Sequence, residues 1–207
     1  MKKFQSNIKD EWIVFDIDGT LSVTLDTDDY NSLNLSQKRY FNKIVYRPFE
    51  KRDIFKEAWV MARTNLSELL NYCFNNYRVG VWSIGQPGYV DVVTNHLFGN
   101  YKPEFVYNFK HCYREYNPIR FSKPLSKSPA IGGIIIEDSQ EVVDSQDKSF
   151  IIERFNIYDE KSLSESDDTS LEDVIDFNIL LNDNCLVDLI DILSKNTVKR
   201  SIDKYFT

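Results

Sequence analysis

The chain has 207 residues, of which 42% are hydrophobic and 14% aromatic; that is enough for a sizeable core and excludes wholesale disorder. A formal net charge of −7 argues against a general nucleic-acid binder while leaving room for a local basic pocket. No apolar run reaches the length of a membrane span and the start lacks a signal-peptide core, so a soluble intracellular protein is expected. Cys73, Cys112 and Cys185 are too widely spaced for a disulfide framework or a zinc site and read as buried free thiols.

The first predicted strand runs from Lys9 to Asp18. Its apolar segment Trp12-Ile13-Val14-Phe15 suits burial on both faces of a parallel sheet. It ends in Asp16-Ile17-Asp18-Gly19-Thr20-Leu21, and in extended geometry Asp16 and Asp18 leave the strand on the same side. Two converging carboxylates are costly, and a bound cation is the usual remedy; the plainer reading is an Asp-Gly turn. Residues from about 22 to 62, with an Asp-rich turn at Asp26, Asp28 and Asp29, read as an insertion of short strands or helices. Asn65 with Glu68 three residues on predicts a capped helix reaching about Asn76.

Tyr77 to Trp82 is a second buried strand ending at Ser83. Pro87 opens a helix that turns Val90, Val93 and Leu97 inward and stops at Gly99. Phe105–Tyr107 is a short strand. Ile131–Ile136 is a third apolar run, terminating at Glu137-Asp138-Ser139, and Phe150–Ile152 is a further strand. An acidic, Ser-rich loop at about 159–170 leads to two helical segments, about Leu171–Leu181 and Cys185–Lys195. His96 and His111 share no ligand-like spacing and read as structural or surface groups.

Helices alternating with apolar strands predict an α/β fold with a mostly parallel central sheet flanked by helices, in one domain over 1–207. In such sheets ligands collect beyond the carboxyl ends of the strands. Three predicted strands end there in polar groups: Asp16 and Asp18, Ser83, and Glu137 with Asp138.

The D-x-D-G-T-L segment resembles the first motif of the haloacid dehalogenase superfamily of phosphohydrolases. The ordered set is more narrowly similar to the RNA polymerase C-terminal-domain phosphatases and their small relatives, the FCP/SCP or NIF-like family. Ala62-Arg63-Thr64-Asn65-Leu66-Ser67-Glu68-Leu69-Leu70 resembles that family's Arg-Pro helix entry, with Thr64 in place of Pro. Val81-Trp82-Ser83-Ile84-Gly85, with Tyr89 and Asp91 beyond, resembles its Ser/Thr segment. Phe121-Ser122-Lys123-Pro124-Leu125 resembles its lysine segment, and Ile134-Ile135-Ile136-Glu137-Asp138-Ser139 its terminal acidic motif. Glu137 stands where Asp is usual, and Gln140 replaces the usual Pro.

The resemblance implies a Rossmann-like fold, and the interval between Leu21 and Asn65 is too short for a large independent cap domain. It implies Asp16 as nucleophile, forming an aspartyl-phosphate, and Asp18 as general acid and base. Ser83 and Lys123 would hold phosphate oxygens, with Lys127 competing for the lysine role, and Glu137 would orient Lys123. Mg²⁺ would be held by Asp16, Asp138 and the main-chain carbonyl of Asp18. Arg114, Arg120 and Lys127 form a candidate rim for phosphate or peptide, against the alternative of a solvated basic loop. The implied substrate is phosphoserine or phosphothreonine in a protein. The alternatives are a small phosphometabolite, a nucleic-acid 3′-phosphate, or a catalytically silent binding protein of the same fold.

Overall fold

The computed structural model describes residues 10–49, 53–116, 119–157 and 177–205. Its centre is a five-stranded sheet of β1 (Trp12–Phe15), β5 (Arg78–Trp82), β6 (Phe105–Tyr107), β9 (Ile134–Glu137) and β10 (Lys148–Ile151), in the order β10-β9-β1-β5-β6. Every pairing is parallel. Phe15 lies opposite both Val81 and Ile136, so Asp16, Trp82 and Glu137 stand level at the carboxyl edge. All four β1 residues are buried, as the unbroken apolar run predicts.

Alternation along the strands divides the core. Ile13, Phe15, Val79, Val81 and Ile136 meet three helices: α3 (Leu66–Asn76), α4 (Pro87–Phe98) and α6 (Cys185–Tyr205). Trp12, Val14, Trp82 and Ile135 point the other way, against Leu125, Ala130 and Val143. That second face is packed by residues of short 3₁₀ turns and their flanks, without a helix among the described residues, and the hairpin β7 (Tyr113–Tyr116) and β8 (Ile119–Ser122) lies in the same connection. Connections running in opposite directions along one sheet must cross on opposite faces if both are right-handed. The α4 connection and the return from β6 to β9 obey this.

The insertion forms an antiparallel sheet of β2 (Ser22–Leu25), β3 (Asn42–Tyr46) and β4 (Lys56–Ala62), ordered β2-β4-β3. Between β2 and β3 lie α1 (Thr27–Ser32) and α2 (Leu35–Lys38). Asp26 starts α1 by accepting from the amides of Asp28 and Asp29, both at 2.9 Å, which accounts for the aspartate run. Asn34 and Gln37 form a capping box on α2. Ile44, Ala58 and Val60 join the main core, whereas Val23, Leu25, Trp59 and Met61 build a second one with Phe155, Ile157 and α5 (Phe177–Leu181).

Several local expectations are corrected. Asn65 precedes α3 but sits in the left-handed region at φ 64° and makes no side-chain cap; its amide faces the Asp183 carbonyl at 3.4 Å. Glu68 instead accepts from Ser67 at 2.8 Å. Ile131 is exposed, because Gly132 turns the chain at φ +74° and β9 begins only at Ile134. The basic stretch around Arg114 and Arg120 is a hairpin rather than a loop. The last helix runs on to Tyr205, beyond the expected Lys195. Cys73 is buried, while Cys112 and Cys185 are only half-buried. The acidic loop expected at 159–170 and the start of the helix expected from Leu171 lie outside the described residues. Among the described residues no helix is long and apolar enough to cross a membrane.

Candidate active site

The loop after β1 turns through Gly19 at φ +83°, a conformation that L side chains rarely adopt. A Cβ there would stand 2.5 Å from Asp138 Oδ2, so only glycine lets this loop pass the end of β9. The Thr20 hydroxyl donates to Asp138 Oδ1 at 3.2 Å, tying the two strand ends together.

Lys123 enters from the opposite face, its amide donating to the Val142 carbonyl at 2.8 Å. Its side chain has no solvent exposure; Nζ donates to Asp16 Oδ1 and, at 2.6 Å, to Glu137 Oε2. Glu137, last residue of β9, is buried toward this lysine, and neighbouring Asp138 meets Arg154 Nε at 3.3 Å. Ser83 lies one residue past the level of Asp16 on the neighbouring strand and is 2% exposed. Its amide donates to the Tyr107 carbonyl and its Oγ accepts from the Gly85 amide, each at 3.0 Å, leaving the hydroxyl hydrogen to donate elsewhere. On the outer side, Asp18 Oδ1 accepts from the Tyr89 hydroxyl.

Charge is short by one cation in this nest. Burial raises the Asp16 carboxyl above its ordinary range, and Lys123 only partly opposes that. Burial also raises Asp18 to about 6, against the Tyr89 hydrogen bond and with the help of the Asp16 charge. Glu137 rises to about 8, from burial first and then from Asp16. Burial alone would lower Lys123, but Asp16 and Glu137 together hold it above its usual value. Oxygens of Asp16, Glu137 and Asp138 lie within 4.8 Å of one another. An all-carboxylate donor set with unbalanced negative charge fits a hard divalent cation such as Mg²⁺. With Glu137 committed to Lys123, Asp16 and Asp138 are the available carboxylates. The Asp18 carboxyl lies outside that cluster, its Oδ1 engaged by Tyr89.

The structure thus brings together Asp16, Asp18, Lys123, Glu137 and Asp138, with Ser83 on the adjacent strand end. Arg114, Arg120 and Lys127 have described partners elsewhere. Arg120 Nε donates to the Glu141 carbonyl at 2.6 Å, Arg114 lies 5.7 Å from the Phe121 ring centre and Lys127 4.1 Å from that of Tyr113. Sequence reasoning assigns no role to Thr20, Thr24, Tyr89 or Arg154. Tyr89 carried one usable signal: it stands in the first turn of a helix that begins at the carboxyl edge of the sheet.

A parallel α/β sheet with carboxylates and a buried lysine at its carboxyl edge defines a class of Rossmann-like proteins whose ligands sit beyond that edge. Within that class the chain belongs to the NLI interacting factor-like phosphatase family, whose model matches residues 12–197. Among solved structures it is similar to Fcp1, described as an essential RNA polymerase II CTD phosphatase. The TM-score is 0.65 at 11% identity, over 89% of this chain and 61% of that one. It is also similar to a variant of the fission yeast RNA polymerase II CTD phosphatase Fcp1 bound to beryllium fluoride. There the TM-score is 0.56 at 13% identity, over 71% of this chain and 42% of that one. The chain therefore spans about three fifths or less of these structures, and at such identities the likeness is one of fold. No curated protein matches the chain.

Proposed function

We propose that this protein is a Mg²⁺-dependent phosphatase that works through an aspartyl-phosphate on Asp16, with phosphoserine or phosphothreonine in a protein as substrate. The observation that carries the reading is the buried Lys123, held between Asp16 and Glu137 beside Asp138. A structural core gains little from three carboxylates around one lysine, whereas a site that must hold a metal and a phosphoryl group needs that arrangement.

An Asp16 carboxylate oxygen attacks phosphorus in line, and the bond from phosphorus to the leaving oxygen breaks as Asp18 gives that oxygen a proton. Water then attacks the aspartyl-phosphate, Asp18 takes its proton back, and the bond to Asp16 breaks to release phosphate. Asp18, half-protonated near pH 6, suits both directions. Lys123 has three donors; two are engaged with carboxylates and the third is left for a phosphoryl oxygen, as is the Ser83 hydroxyl. Glu137 keeps the lysine in place. Mg²⁺, held by Asp16, Asp138 and the Asp18 carbonyl, would offset repulsion between Asp16 and a dianionic substrate. Family membership and the fold shared with RNA polymerase II CTD phosphatases support a phosphoprotein substrate. The modest insertion beside the site, rather than a large cap, leaves room for one.

The test is hydrolysis of p-nitrophenyl phosphate and of phosphoserine and phosphothreonine peptides, with Mg²⁺ or with chelator, by wild type and Asp16→Asn. Wild type should turn over both substrate types only with Mg²⁺, and the variant should lose roughly 10³-fold or more, the scale seen when a nucleophile is removed. Equal rates for wild type and Asp16→Asn would overturn the chemistry, and activity on the aryl ester with none on any peptide would overturn the substrate.

A further inference from the structure

Beside the lysine–carboxylate nest runs a second hydrogen-bonded chain. The Tyr89 hydroxyl donates to Asp18 Oδ1, and the same hydroxyl lies 2.7 Å from Thr24 Oγ1. The three residues come from separate places: the loop after β1, strand β2 of the insertion, and the first turn of α4. A phenol has one hydrogen. With that hydrogen on Asp18, Thr24 must be the donor to the Tyr89 oxygen, so the chain has a direction, from Thr24 through Tyr89 to Asp18.

This direction fixes more than a distance. As long as the phenol keeps that direction, Oδ1 of Asp18 is engaged as an acceptor. A proton on Asp18 therefore resides on Oδ2, and rotation of the group to exchange the two oxygens would break the bond. Tyr89 is itself boxed in. Its ring meets that of Tyr46 edge to face at 5.4 Å, and a Cβ on Gly85 would come within 2.9 Å of Tyr89 Cδ1. The ring is thus seated between the insertion and the bare backbone of Gly85.

We infer that Tyr89, backed by Thr24, is a positioning residue that determines which oxygen of Asp18 delivers the proton to the leaving group. The inference rests on the phosphatase reading of Asp18 given above. It also gives the insertion a part in the chemistry: β2 supplies the hydroxyl that orients the phenol.

The experiment compares kcat/KM for two aryl phosphates, which reports steps through formation of the aspartyl-phosphate. Phenyl phosphate has a strongly basic leaving group that needs the proton, whereas 2,4-dinitrophenyl phosphate leaves without it. Tyr89→Phe should lower kcat/KM on phenyl phosphate by roughly tenfold or more, part of the roughly 10²- to 10⁴-fold that a positioned proton donor supplies. The dinitrophenyl ester should be hydrolysed at close to the wild-type rate. Thr24→Val should show the same selective loss in weaker form, and Thr24→Ser, which keeps the hydroxyl, should restore the wild-type ratio. Equal losses on both esters in Tyr89→Phe and Thr24→Val, or no loss on either, would overturn the inference. The phosphatase reading fails separately, if wild type hydrolyses neither ester or Asp16→Asn hydrolyses both.

Discussion

Asp18 sits where its neutral form is favoured, since burial lifts its carboxyl from the ordinary 3.8 to about 6. The native state then holds a proton that the unfolded chain releases between those two values. The favourable contribution is present at low pH and is lost as pH rises through about 6. Asp18→Asn keeps a neutral group and an acceptor for Tyr89. It should therefore be more stable than wild type at pH 7.5 by about 2–3 kcal/mol, with the gap closing near pH 4, in urea unfolding of the metal-free protein. An unchanged gap across that range would show that the charged form is not penalised. The carboxylates were legible in the sequence because they stand at the ends of apolar runs, where a strand's geometry fixes their direction. Lys123 was preferred to Lys127 there only through the resemblance of the Phe121–Leu125 segment: both are lysines in a polar stretch, and the folded chain buries one against Asp16 and lays the other over Tyr113. The bond between Tyr89 and Asp18 spans 71 residues, and the sequence places Tyr89 near the sheet edge without showing which carboxylate it meets.

Among elements, the contact between α4 and the insertion depends on one missing side chain. A Cβ at Gly88 would lie 2.1 Å from the Arg47 carbonyl oxygen, just beyond β3. In an exposed helix Gly→Ala stabilises by up to about 1 kcal/mol. Here a backbone atom blocks the methyl group, so Gly88→Ala should cost about 1–3 kcal/mol, as overpacking does. Thermal unfolding measures the cost, and hydrogen exchange should show faster opening of β3 amides than of β1 amides. Stabilisation by the substitution would mean that the insertion does not pack closely on α4. The strands of the main sheet were readable because each is a short, fully buried run bounded by polar residues. The insertion was not. Its strands alternate between two cores, and their antiparallel order β2-β4-β3 follows from partners as distant as Phe155 and Phe177.

For the molecule as a whole, Arg63 joins four segments that the chain keeps far apart. It is buried at the end of β4; it pairs with Asp183 before α6 and donates to the Glu153 carbonyl at 2.7 Å and the Thr20 carbonyl at 3.2 Å. The Arg63→Met substitution leaves a carboxylate and two carbonyls without their donor and should cost about 3–5 kcal/mol in denaturant unfolding. Because Thr20 also holds Asp138, half-maximal activation should need more Mg²⁺ in that variant. A stable variant with unchanged Mg²⁺ dependence would show that the sheet and the insertion hold together without this residue. The order of the main sheet has a different consequence, for how the protein is made. Strand β1 lies between β5 and β9, and β9 is translated long after β5. While the chain leaves the ribosome, one edge of β1 stays open and apolar through most of synthesis, a surface that invites mispairing and chaperone attention. The same order bears on truncated products. A product cut short before Glu137 and Asp138 lacks half of the carboxylates of the nest however well its first strands have folded, so on the proposed chemistry it should hydrolyse no phosphoester.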